Sequence, residues 1–194
     1  LSLTPLERAR LLDGQHAYLK ATALRLLGRD NQAAELLRSA ESAFGEVRGG
    51  RVASVAWLRA QVLGELAQVA ERSGNLGEAE GLHNQGIALL TATYPGSPAL
   101  GSARAQLAGL YARSGRGDEA VTLYRSIVAD AKGRALPSLR GLMAPYFALL
   151  TADGSSNTAA AADIFGASQL LSRPGLAQTQ AALARELSGG SDEA

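Results

Sequence analysis

Apolar residues run along this chain in blocks separated by glycine, proline and polar turn residues. No block shows the strict apolar–polar alternation of a half-buried strand. The apolar positions are mostly Ala and Leu, which lead the helix scale, while β-branched residues are few. The pattern predicts helices near 5–27, 31–46, 51–73, 76–93, 98–114, 117–132, 137–151, 157–172 and 174–188. Breaks fall at Gly49-Gly50, Tyr94-Pro95-Gly96 and Asp153-Gly154-Ser155-Ser156. Start signals agree with these bounds: Thr4-Pro5-Leu6-Glu7 is a capping box with proline at the first helical position. Ser97-Pro98 is a similar start, Asn75 with Glu78 repeats the box, and Leu136-Pro137 and Arg173-Pro174 mark two further entries.

The blocks repeat. "LRLLGRDNQAAELLRSA" (24–40), "AERSGNLGEAEGLHNQG" (70–86) and "YARSGRGDEAVTLYRSI" (111–127) align on Gly28, Gly74 and Gly115. Ala33, Ala79 and Ala120 follow each glycine by five. Leu37, His83 and Tyr124 come four later, then Ala40, Gly86 and Ile127 after three more. Glycine ends a helix because it accepts the left-handed conformation at little steric cost. The alanine lets the returning helix pack closely, and the larger residue one turn on fills the gap. The unit is a helix–turn–helix hairpin.

These residues resemble tetratricopeptide (TPR) repeats. The third stretch fits through Leu107, Ala108, Tyr111, Gly115, Ala120 and Tyr124. The first fits through Ala21, Leu24, Gly28, Ala33, Leu37 and Ala40. The second keeps Leu66, Ala67, Gly74 and Ala79 but departs at His83 and Gly86. A fourth is degenerate, with Phe147, Ala161 and Phe165 in place and no clean turn glycine. The period exceeds the usual 34 or so of the family, as in kinesin-light-chain-like variants. The resemblance implies an all-α fold: a right-handed superhelical α-solenoid of antiparallel helix hairpins, about nine helices in all. Hairpins are expected near 6–46, 51–93, 98–132 and 137–172, with 173–194 the start of a further helix and a tail. The tail "FGASQLLSRPGLAQTQAALARELSGGSDEA" also resembles the segment following the TPR array in bacterial CHAT-domain proteins, whose caspase-like domain lies further downstream.

The resemblance implies a concave groove lined by the first helix of each hairpin, which takes a peptide or protein partner. The family's groove offsets fall on Gln15, Tyr18, Thr22 and Arg25 in repeat one. Repeat two supplies Gln61, Gln68, Glu71 and Arg72, and repeat three Ser102 and Arg113. Gly109, Ala105 and Ala112 leave room there for a bulky side chain. Tyr18 and Thr22 stand where a chaperone-tail clamp wants Lys and Asn, which argues against that ligand.

Composition narrows the chemistry. Net charge is +1 and basic residues concentrate in 99–140, an imbalance too weak to argue for nucleic acid. Cysteine is absent, which removes disulfides, thiolate nucleophiles and Cys-ligated metals. No apolar run approaches the roughly 20 residues that span a bilayer, and the expected setting is a soluble one, bacterial cytoplasm or periplasm. The chain starts at Leu1 and its only methionine is Met143, so it reads as an excised or processed fragment. Of two histidines, His83 occupies a packing position, and His16 sits with Asp13 and Lys20 at helical spacing on a surface. Glu78/Glu80 and Asp118/Glu119 lie at helix starts, where they meet the positive end of the dipole. Neither set makes a metal site, no serine lies in G-x-S-x-G, and we expect no catalysis and no cofactor. Gly115–Ala120 matches a loose dinucleotide pattern and contains Arg116-Gly117-Asp118, but a helix precedes it, not a strand. A competing expectation is a spacer that self-associates through open helical ends, where Leu176, Leu183 and Leu187 would be exposed.

Overall fold

A computed structural model describes residues 3–50, 52–131, 136–152 and 158–171. Eight α-helices are present among them: α1 (Pro5–Leu26), α2 (Asp30–Glu46), α3 (Ala53–Arg72), α4 (Leu76–Thr93), α5 (Pro98–Arg113), α6 (Gly117–Ala131), α7 (Ala144–Thr151) and α8 (Thr158–Leu170). Successive pairs form antiparallel hairpins that stack into a TPR-like solenoid, and no strand occurs among the described residues. The expected helix 174–188 and the break at 153–156 lie outside the described residues.

Three turns are built alike. Gly28, Gly74 and Gly115 have φ of 74°, 79° and 81°, a region only glycine enters freely. The residue after each glycine then serves both helices. Arg29, Asn75 and Arg116 donate their N–H groups back to Leu24, Ala70 and Tyr111, each at 2.9 Å, closing the first helix in a Schellman-type bond. Their carbonyls accept from Ala33, Ala79 and Ala120 at 3.0–3.1 Å, opening the second. All three alanines are fully buried, as are Ala21, Ala67 and Ala108 twelve residues before each.

Caps follow the sequence at two starts and not at a third. Thr4 and Glu7 form the reciprocal box, and the Ser97 hydroxyl accepts from the Leu100 amide. Asn75 makes no side-chain cap. Its ψ of 64° is not the extended backbone that aims a capping side chain at the first turn, because the tight glycine turn fixes it. The helix expected at 137–151 is also shorter than anticipated: Pro137–Leu139 forms a 3₁₀ turn and α7 starts only at Ala144. Pro145 explains this, since its ring would clash with the carbonyl of residue 141 in a continuous helix.

The core is continuous along the stack. One cluster joins repeat one to Val55, Val62, Leu66 and Val69 of α3. A second links α3 and α4 to Leu107 and Leu110, and a third links α5 and α6 to α7 and α8. Repeat four is held through Tyr124, whose hydroxyl donates to the Leu142 carbonyl at 2.9 Å and whose ring stacks on Tyr146 at 5.0 Å. Gly86 lies against α3, where a Cβ would sit 3.4 Å from the Ala60 carbonyl oxygen, an ordinary contact. Gly14 of α1 is held far more tightly, and a Cβ on it would fall 2.5 Å from the buried Phe44 ring.

Gly14→Ala therefore adds a good helix former and should still lower stability, by about 1–3 kcal/mol through overpacking. Gly81→Ala in α4, where a Cβ meets nothing within 4 Å, should raise it by about 0.5–1 kcal/mol. Thermal or urea unfolding of the two variants checks the opposite signs.

Candidate partner-binding groove

Helices α1, α3, α5 and α7 lie side by side, each touching the next along one face of the stack. Between α3 and α5 a narrow cleft of about 110 Å³ is lined by Trp57, Gln61, Glu65, Gln68, Ser102 and Gln106. Gln68 and Gln106 also wall a larger cleft of about 570 Å³ running on to α7. Its other walls include Arg72, His83, Gly109, Arg113, Leu142 and Pro145.

Of the groove residues read from sequence, Gln61, Gln68, Arg72, Ser102 and Arg113 are brought together here, with Glu71 beside them. The four from α1 lie elsewhere. Tyr18 packs half-buried on the first core cluster, and the Thr22 hydroxyl donates to its carbonyl at 3.0 Å. Gln15 is half-buried on the same helix, and Arg25 pairs with Glu65 of α3. Sequence reasoning missed Trp57, Gln106, His83, Leu142 and Pro145. Trp57 precedes Gln61 by one helical turn on the same face, so one more step of the offset would have found it. His83 comes from a second helix and Leu142 from an irregular turn, which no first-helix offset reaches.

The groove arginines are already partnered. Arg72 forks onto Asp30 of α2 at 2.6 and 2.9 Å, and Arg113 onto Glu71 of α3 at 2.6 and 2.9 Å. With Arg25–Glu65 these are bidentate or close pairs that tie one hairpin to its neighbour. The Arg-Gly-Asp turn does the same. Arg116 pairs with Glu80 of the preceding repeat and with Glu119, both at 2.6 Å, and lies 4.0 Å from the centre of the Tyr111 ring. Hydrogen bonds from Arg116 and the Tyr111 hydroxyl hold the Glu80 carboxyl below its ordinary pKa. What remains to face the narrow cleft is mostly uncharged: three side-chain amides from Gln61, Gln68 and Gln106 and the hydroxyl of Ser102, with Trp57 at the rim.

His83 lines the larger cleft. It occupies the place of the fully buried Leu37 and Tyr124 and is itself only 3% exposed. Burial pushes its pKa from 6.5 down to about 4, with Arg113 adding to the effect and Glu71 opposing it. At neutral pH the groove wall is therefore neutral here too. Among the described residues no group of acidic residues and histidines could hold a metal ion, and no helix is long and apolar enough to cross a membrane.

Residues 58–132 match the family model of the tetratricopeptide repeat. TPR repeats generally mediate protein–protein interaction, and their fold is generally a non-catalytic scaffold. A search of curated proteins finds no match. Among solved structures the chain is similar to BtubC (BKLC) from P. vanneervenii, at 17% identity and a TM-score of 0.60. That alignment covers 93% of this chain and 66% of that one, so the chain spans about two thirds of its length. It is also similar to a Podosopora anserina protein of the kinesin light chain type with nearly identical TPR-like repeats, at 20% identity and a TM-score of 0.49. There 80% of this chain and 93% of that one are covered. At 17% identity the likeness to the first of these bears on the fold alone.

Two outcomes follow from the electrostatics. The unfolded chain takes up a proton on His83 below pH 6.5 that the folded chain refuses until about pH 4. Stability should therefore fall as pH drops through that window, by roughly 3 kcal/mol at most, and His83→Leu should flatten the slope in urea titrations. Arg25→Ala strands Glu65, whose side chain is 15% exposed, and should cost about 1–3 kcal/mol. Arg38→Ala, at an exposed pair 3.8 Å apart, should cost under about 0.5 kcal/mol in the same unfolding assay.

Proposed function

We propose that this chain is a non-catalytic interaction module that takes an extended, largely uncharged segment of a partner protein along the cleft between α3, α5 and α7. The observation that carries this reading is the lining: Gln61, Gln68, Gln106 and Ser102 project where the arginines are already paired. A glutamine amide is both donor and acceptor. It can match a peptide N–H and C=O whatever the side chains, whereas a groove of free cations would select acidic ligands. The larger cleft, floored by Gly109 and Gly141 against Leu142 and Pro145, suits one bulky apolar side chain of the same segment. In a parent of the CHAT type, to which the tail 165–194 points by resemblance, this module would recruit a substrate or regulator to a caspase-like domain or hold that domain inactive.

Trp57 is the only tryptophan and is 42% exposed at the rim, so it reports occupancy directly. Peptides selected on the chain from a random library should shift Trp57 emission. Gln68→Ala/Gln106→Ala should weaken their binding at least about tenfold, as expected for losing two hydrogen bonds. Selected peptides that bind the double variant as tightly as the wild type would place the site elsewhere and sink the groove assignment.

A further inference from the structure

α1 is buried on one side only. Gly14, Ala17 and Ala21 face the core, while the opposite side carries Leu12, Leu19 and Leu26, which are 64%, 67% and 73% exposed. Ala9, His16 and Ala23 alternate with them and are exposed as well. The positions 9, 12, 16, 19, 23 and 26 step by three and four, the seam of a two-helix coiled coil. The register with α3, set by Gly28 and Gly74, shows what such a face does in this fold. Val55, Val62 and Val69 correspond to Ala9, His16 and Ala23 and are buried against repeat one. Glu65 and Arg72 correspond to Leu19 and Leu26, and they pair with Arg25 and Asp30. α1 thus presents a packing face on which leucines replace the charges that join one repeat to the next.

We propose that this face pairs with the same face of a second copy, the two helices lying antiparallel about a two-fold axis. Antiparallel pairing of the seam sets Ala9 against the second copy's Leu26 and Leu12 against its Ala23, a small residue meeting a large one each time. His16 meets Leu19 at the centre, and a single polar residue in such a seam fixes register. Along one flank Asp13 falls opposite Lys20, an attractive pair made twice by symmetry. Leu6 falls opposite Leu27 on the same flank, and these two are 68% and 71% exposed. Leu6, Leu12, Leu26 and Leu27 each gain an apolar partner, and Leu19 is covered by the imidazole of His16. The other flank brings Gln15 to Thr22 and, at the helix ends, Arg8 to Arg29, both exposed to solvent. Parallel pairing would stack alanine on alanine and leucine on leucine, leaving layers of unequal volume. The face is separate from the cleft, so this inference does not rest on the groove reading.

Sedimentation equilibrium of the chain should give a dimer. Leu12→Glu/Leu19→Glu, at positions already exposed, should give a monomer with unchanged circular dichroism, whose melting no longer depends on protein concentration. Asp13→Lys should weaken the dimer several-fold by facing Lys20 with a like charge, and Asp13→Lys/Lys20→Asp should restore it. A monomer at hundred-micromolar concentration would overturn the proposal and assign the face to a further hairpin or another protein. A dimer indifferent to these changes would overturn it too.

Discussion

One residue per hairpin carries the geometry of this fold. With glycine held at positive φ, the next residue donates backward into one helix and accepts forward from the other. That double use leaves no slack between the helices, so their separation is set by whatever stands at the first buried position of the second. Alanine stands there three times, opposite an alanine of the first helix. Side-chain volume then varies at the following turns, where Leu37, His83 and Tyr124 differ, as do Ala40, Gly86 and Ile127.

Stacking of one hairpin on the next rests on a second device. Apolar contact between hairpins comes from valine, leucine and tyrosine side chains such as Val62, Leu66, Leu107 and Tyr124, and a polar link is added by arginine. Arg25, Arg72, Arg113 and Arg116 each cross to an acidic group of a neighbouring repeat. Individually such partly exposed pairs stabilise modestly. Their geometric effect is larger, since a planar guanidinium forked on a carboxylate fixes orientation as well as distance. The same pairing engages the arginines beside the cleft and leaves the amides of Gln61, Gln68 and Gln106 along it.

The repeat itself was legible because glycine, alanine and the larger residue recur at fixed offsets, and each has a single physical reason to be there. The features that escaped depend on neighbours distant in the chain. Asn75 carries a capping-box spacing, yet the glycine turn before it dictates a backbone in which that box does not close. Pro145 delays α7, although Leu136-Pro137 reads as a helix start. The arginines were legible as groove-side residues but not as paired ones, because their partners lie about a repeat away and a helical offset reports direction, not company. His83 was legible as a packing residue. Its place in the larger cleft was not, since it reaches the groove from the second helix of its hairpin.

The uncharged groove is thus a result of folding and not of composition. Glu65, Glu71, Arg72, Arg113 and His83 all border it, so a folded array with these pairs opened would show an ionic strip in the same place. Pairing silences the arginines and carboxylates, and burial silences the histidine. The two effects are coupled at one point: Arg113 helps to keep His83 neutral, while Glu71 both holds Arg113 and favours the charged imidazole. Loosening the Arg113–Glu71 fork would change the charge on the groove from two sides at once. A solenoid whose repeats touch only their neighbours can confine such a change to one junction, the α3–α5 step, where charge balance and stability are joined.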